Sequence, residues 1–323
     1  MKALQHFRLA AFALLILIPS IVLGQSDIES QLKQISAIKK INRLDKVSHF
    51  KEHYELWFEQ HIDPNDPTSE TFLQRVLLGH VKKDKPVIIE LQGYEIHSEK
   101  SGELAKMFKC NQITIEHRYF AESKPKSEEI PWSTLTLDNA AHDQHVIINT
   151  IKNALYPEVK FLSTGISKGG QTTMIHRSKY PEDVDASVCY VAPLNFARED
   201  KRIYHFLDTV GTEAQRRQVE DFQLLCLQRK DSLVPMLKSM ATAREWSWEM
   251  GVDKAFEYYV LEYSFAFWQW GGIKFDKIPT KEASNLDVLI HLLRTSGVSF
   301  FEEKGVENLQ PLSLIHISEP TRL

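Results

Sequence analysis

An apolar run, Phe161-Leu162-Ser163-Thr164, leads directly into Gly165-Ile166-Ser167-Lys168-Gly169-Gly170, and a helical pattern follows from Gly169 to Lys179 before Pro181. No other feature restricts the fold as much. A strand that becomes a helix within a few residues needs small side chains, because the turn is strained and helix and strand must approach closely. The layout sets Ser167 at the carboxyl end of a strand and the amino end of a helix, where free N–H groups and the helix dipole favour negative charge. A Gly-x-Ser-x-Gly match is weak alone; the strand before it and the helix after it are what raise it. Ser167 is therefore the candidate nucleophile, and the N–H of Lys168 one candidate oxyanion donor. The second donor is expected from the loop after the earlier run Val87 to Leu91, where Gly93 and Tyr94 sit. A Ser-Lys dyad is the competing idea. Neighbours at such a turn point away from each other, so only the N–H of Lys168 is well aimed.

The surrounding pattern extends this layout. Tyr54 to Phe58 and Phe72 to Leu78 read as two strands, joined by the turn chemistry of Asp63-Pro64-Asn65-Asp66-Pro67 into a hairpin. Pro86 to Leu91, Gln112 to Ile115, Val159 to Thr164 and Ala186 to Val191 are short apolar runs. Helical patterns at Ser101 to Phe108, Leu137 to Leu155 and Gly169 to Lys179 separate them. Alternating strands and helices imply crossover units and a mostly parallel sheet. Before the hairpin, Gln25 to Asp45 is polar with Ile35, Ile38 and Ile41 at helical spacing, which predicts a short leader helix. From about Glu213 to Phe301 helical spacing dominates. This stretch is aromatic: Trp246, Trp248, Tyr258, Tyr259, Tyr263, Phe265, Phe267, Trp268 and Trp270. Most of these are expected in the segment's own core; the sharper reading is a cap over an active site, lined by some of them.

Lys2 and Arg8 precede an apolar stretch from Leu9 to Leu23, with Val22 and Gly24 at the small-residue cleavage positions. The stretch is shorter than the ~20 apolar residues of a spanning helix, so residues 1–24 are expected to be a signal peptide and the chain exported to the periplasm or medium. A retained anchor helix is the competing reading; no membrane association is expected after cleavage. A net charge of -4 gives no basic field for nucleic acid. The three cysteines lack disulfide or zinc spacing, and Cys189 reads as a small core residue. Cys110 and Cys226 could pair only without support from the sequence.

His117 in Glu116-His117-Arg118-Tyr119-Phe120-Ala121-Glu122-Ser123 is a tempting base, but in this chain order the base comes after the last strand. Glu116, Arg118 and Glu122 are expected to form an ion-pair network fixing that loop. His142, His145 and His176 read as surface or helix-packing residues, without metal-ligand spacing, and no cofactor or metal is expected.

The Glu116–Ser123 and Gly165–Thr173 motifs, with Tyr190-Val191-Ala192-Pro193-Leu194-Asn195 and Glu257-Tyr258-Tyr259 through Trp270, resemble the bacterial secreted tripeptidyl aminopeptidases. That family is related to prolyl carboxypeptidases and dipeptidyl peptidases. The resemblance runs from about Tyr54 to about Pro311. It implies an α/β-hydrolase core with a helical cap inserted after the sixth strand, a Ser-Asp-His triad, and exopeptidase action on short peptides, often near proline. It transfers the nucleophile role to Ser167 and suggests that a cap carboxylate, Glu262, holds the substrate's free α-amine. An exposed helix charge is the competing reading of Glu262. The implied organisation is a core over residues 25–198, a cap over 199–311 and a tail over 312–323. Peptides are the expected partners; the sequence fixes no oligomeric state.

The chain departs from that family at its end. The triad Asp and His should follow two further core strands, but helical patterns at Leu286 to Leu293 run instead into Ser313-Leu314-Ile315-His316-Ile317, which reads as translated sequencing-adapter sequence. His316 is not counted as catalytic. The expectations are an incomplete α/β-hydrolase core, a strand Ala186 to Val191 left as an uncovered edge, and an inactive chain. An esterase or lipase on the same scaffold and a non-catalytic surface binding protein are the competing functions.

Overall fold

The computed structural model describes residues 28–45, 47–126, 130–197 and 200–298. The signal-peptide stretch, the tail and His316 lie outside them. In chain order the elements are α1 (Ile28–Leu32), β1 (Ile38–Arg43), β2 (Glu52–His61), β3 (Thr71–His80), β4 (Val87–Leu91), α2 (Glu103–Phe108), β5 (Asn111–Ile115), α3 (Leu137–Leu155), β6 (Phe161–Ile166), α4 (Lys168–Lys179) and β7 (Ala186–Tyr190). A helical run follows: α5 (Lys201–Thr209), α6 (Glu213–Gln228), α7 (Lys230–Arg244), α8 (Val252–Trp270) and α9 (Asn285–Ser296).

The described strands form one sheet in the order β1-β2-β3-β5-β4-β6-β7. The first pairings, β1 with β2, β2 with β3 and β3 with β5, are antiparallel; β5, β4, β6 and β7 run parallel. Alternate residues of the parallel strands enter different layers, as the period of two requires. Val87, Ile89 and Phe161 pack with Ile147, Ile148, Ile151 and Leu155 of α3 on one face. Ile88 and Leu162 pack with Leu104 and Ala105 of α2 on the other. A sheet covered on both faces, with helical crossovers and a serine turn after β6, is an α/β-hydrolase fold. The helical run has its own core, in which Phe222 of α6, Leu237 of α7, Tyr263 of α8 and Leu292 of α9 meet. Trp248, Tyr259 and Phe267 are buried there, whereas Trp270 is exposed.

Two expectations are corrected. The leader is not one helix: only Ile28–Leu32 is helical, and Ile38–Arg43 is an edge strand. The register of β1 against β2 shifts between Ile38 and Lys40. A bulge adds one residue, so side chains three apart come to the same face. Ile38 and Ile41 therefore both pack on the core at a spacing that imitates a helix. Cys189 is exposed rather than core, because β7 is the last described strand of the sheet and shields only one of its sides.

Candidate active site

β6 delivers the chain to Ser167, and α4 carries it away. Ser167 sits at φ 57° and ψ -122°, a conformation L-residues rarely adopt. Such strain costs about 1–3 kcal/mol and persists only where surroundings over-determine it. Here its N–H donates to Tyr190 O of β7 at 3.0 Å, and its carbonyl accepts from Gln171 N of α4 at 3.0 Å. Ser167 is exposed while its neighbours Lys168, Gly169 and Gly170 are buried. The side chain thus stands clear of the sheet.

The loop after β4 reaches the same place. A Cβ added at Gly93 would lie 2.6 Å from Lys168 Cβ and 2.7 Å from Gly169 N, so only glycine lets that loop seat against the start of α4. The Lys168 N–H is the first of α4 and has no partner within the helix. The backbone of Gly93 and Tyr94 therefore flanks the N-terminus of α4, beside Ser167. Tyr94 O accepts from His117 N at 3.0 Å, which ties this loop to the one after β5.

Lys168 turns inward and is 3% exposed. Burial pulls its ammonium down to about 8. His117, beside it, is held well below its usual value, first by burial and then by the Lys168 charge. The imidazole is thus neutral, and its Nδ1–H donates to Arg118 O at 3.0 Å. Phe120 packs edge-on against both His117 and Tyr94.

The expected Glu116–Arg118–Glu122 network does not form. Glu116 accepts from Ile96 N at 2.9 Å and from Ser123 Oγ at 2.7 Å, with Arg75 at 3.9 Å. Arg118 instead pairs with Asp143 of α3, and Glu122 is exposed. The geometric reason is direction: the Arg118 guanidinium points toward α3 and the end of β2, where five acceptor contacts meet it. Asp143 carried a readable signal. It lies four residues before Ile147 and eight before Ile151, on the buried stripe of α3, and a carboxylate there needs a cation. The helix histidines pack as expected: His145 Nδ1 and His176 Nε2 both bond Asp183, at 2.8 and 3.0 Å. Glu262 lies on α8, half-buried, its carboxyl raised by burial. Among the described residues no hydrogen bond or ion pair joins it to the Ser167 turn.

The family described as PS-10 peptidase S37 matches residues 24–316. A prolyl tri/tetrapeptidyl aminopeptidase of Streptomyces mobaraensis is 30% identical over 298 residues, 90% of this chain and 61% of that protein. The chain thus spans about three fifths of that relative's length. Solved structures are more distant. A thermostable carboxyl esterase from Bacillus coagulans shares 12% identity, with 82% of this chain and 73% of that one covered and a TM-score of 0.36. An aminopeptidase from a marine sediment Thaumarchaeota archaeon shares 13%, with 49% and 28% covered and a TM-score of 0.31. Likenesses this distant carry no weight in assigning a function.

Proposed function

The chain belongs to the PS-10 peptidase S37 family, and from that premise we propose that Ser167 is the nucleophile of a serine exopeptidase that removes short peptides from free N-termini. The observation that carries the reading is the Ser167 backbone, held at φ 57° on the junction of a strand and a helix. In the proposed step Ser167 Oγ bonds to the scissile carbonyl carbon, the carbonyl electron pair moves to oxygen, and the hydroxyl proton passes to water. The N–H of Lys168 and a backbone N–H of Gly93 or Tyr94 receive the oxyanion. The leaving amine departs with a proton, and water then cleaves the acyl-serine. The name of the Streptomyces relative suggests release of tri- or tetrapeptides next to proline. Glu262 is proposed to hold the substrate's α-amine, which fits a half-buried carboxylate with no partner among the described residues. The N-terminal stretch supports export, so the substrates would be extracytoplasmic peptides.

We further infer that turnover by this chain is slow. Among the described residues no histidine or carboxylate hydrogen-bonds the Ser167 hydroxyl, and His145 and His176 both bond Asp183. A serine that lacks an activating partner retains only the contribution of binding and the oxyanion hole.

A fluorophosphonate probe followed by peptide mapping tests both statements. The expected result is slow, stoichiometric labelling of Ser167 that vanishes in Ser167→Ala. Hydrolysis of tripeptide nitroanilides is expected at least about 10³-fold below ordinary peptidase rates. Labelling elsewhere would sink the nucleophile; turnover at ordinary enzyme rates would sink the second inference. Faster reaction with acyl esters than with tripeptide amides would favour an esterase.

A further inference from the structure

Lys168 presents a physical problem that the proposed acyl transfer does not use. An ammonium taken out of water needs a carboxylate or a set of acceptors, yet Lys168 is 3% exposed and its ammonium has neither among the described residues. The surrounding ionisable groups do not compensate it. From the loop after β5, His117 is neutral and pushed further from protonation by the Lys168 charge. Arg118 is a second cation and is matched by Asp143 of α3. Glu116 is committed to Ile96, Ser123 and Arg75. From the loop after β4, Tyr94 is held protonated by burial. Among the described residues the site therefore contains an unmatched positive charge, one residue from the nucleophile and under the loop expected to complete the oxyanion hole.

We propose that Lys168 is a positioning residue for the oxyanion: the ammonium of its buried side chain, without a counter-charge among the described residues, supplies the field that steadies the negative oxygen formed when Ser167 attacks. The inference rests on the nucleophile reading above. Lys168 keeps its proton throughout; it neither bonds to the substrate nor accepts the Ser167 proton. The charge acts through the backbone donors of Lys168 and Gly93–Tyr94, in an interior where a charge is felt far more strongly than in water.

The side chain also packs, so loss of activity on truncation would prove little. The discriminating readout is pH. The lysine is charged below about 8 and neutral above, so its effect should fade as pH rises. Fluorophosphonate labelling rates of Ser167 would be measured for the full chain, for Lys168→Met and for Lys168→Arg, from about pH 6 to pH 10. The ratio of parent to Lys168→Met cancels every other titration the two share. The expected ratio is about 10- to 100-fold near pH 6, closing to within about 2-fold at pH 10. Lys168→Arg keeps its charge throughout, so its ratio to Lys168→Met should stay high at pH 10. Circular dichroism at each pH confirms that all three are folded. A ratio flat across pH overturns the inference and leaves a packing role, while Ser167 remains the nucleophile. Absence of labelling in every variant overturns the nucleophile, and this inference with it.

Discussion

Replacing Arg118 with Met is expected to lower the unfolding free energy at neutral pH by about 3–5 kcal/mol, the range for breaking a buried ion pair by removing one partner. Arg118 is fully buried and Asp143 is 1% exposed. Every guanidinium N–H has a use. Nε and Nη2 donate to the two Asp143 oxygens at 2.7 and 3.3 Å, Nη1 to Thr134 O at 2.7 Å and Ile62 O at 3.3 Å, and Nη2 to His61 O at 3.0 Å. The plane also lies over the rings of Phe72 and Tyr119. One side chain thus ties the end of β2, the segment before α3 and α3 itself to the loop after β5.

The pH dependence separates charge from packing. Burial pushes the Asp143 carboxyl up to about 6, against the opposing pull of Arg118. Without Arg118 that opposition is gone, and the folded value rises further. A carboxyl that binds its proton more tightly when folded adds stability below its unfolded pKa and loses it as pH rises through the folded one. The defect of Arg118→Met should therefore be larger at pH 8 than at pH 5, in urea titrations of variant and parent at both. Arg118→Met with Asp143→Leu should recover much of the loss, since replacing both partners removes the orphaned charge. A double variant as unstable as the single one at pH 8 would show that packing and carbonyl contacts, not the orphaned carboxylate, set the cost.

What could be read in the sequence divides along a physical line. The parallel strands were legible because each is a short apolar run bounded by a helix, and α3 matched its predicted limits because a capping Thr136 and a clean apolar stripe mark it. The Ser167 turn was legible because its constraint is local: strand, glycine and helix lie within a few residues. β1 was not legible, because a half-buried edge strand with a bulge loses the alternation that identifies strands. Cys189 is exposed despite its apolar run, because such a run reports a strand but not whether a further strand lies beside it. The Arg118–Asp143 pair spans 25 residues, and nothing near Arg118 distinguishes it from an arginine paired with Glu116. For Lys168 the sequence offers a backbone N–H donor and a competing base, not a buried cation. That its side chain would be buried without a counter-charge follows from the Gly93 approach, a tertiary fact.

A second close approach, of β6 to α4 and β4, makes Gly165→Ala the second large effect, with a fall of about 3 kcal/mol in stability, at the upper end of the overpacking range. A Cβ at Gly165 would lie 2.2 Å from Gly169 O, 2.3 Å from Gly169 C and 2.8 Å from Leu91 O. All three are backbone atoms of α4 and β4, so no side-chain rotation can relieve the clash. The strand must move away from the helix, or α4 away from β4. Either movement shifts Ser167, which follows two residues later, relative to the backbone of Gly93 and Lys168. Misplacement of about 1 Å costs on the order of 10²-fold in reactions that depend on alignment, so fluorophosphonate labelling should fall about that much even in the fraction that remains folded. Gly272→Ala is the matched control: a Cβ there meets nothing within 4 Å, and its stability should stay within about 0.5 kcal/mol of the parent. Thermal melts and labelling rates of the two variants, measured side by side, decide the matter. If Gly165→Ala melted with Gly272→Ala and labelled at the parent rate, the close packing of β6 against α4 would not be what holds Ser167 in its strained conformation.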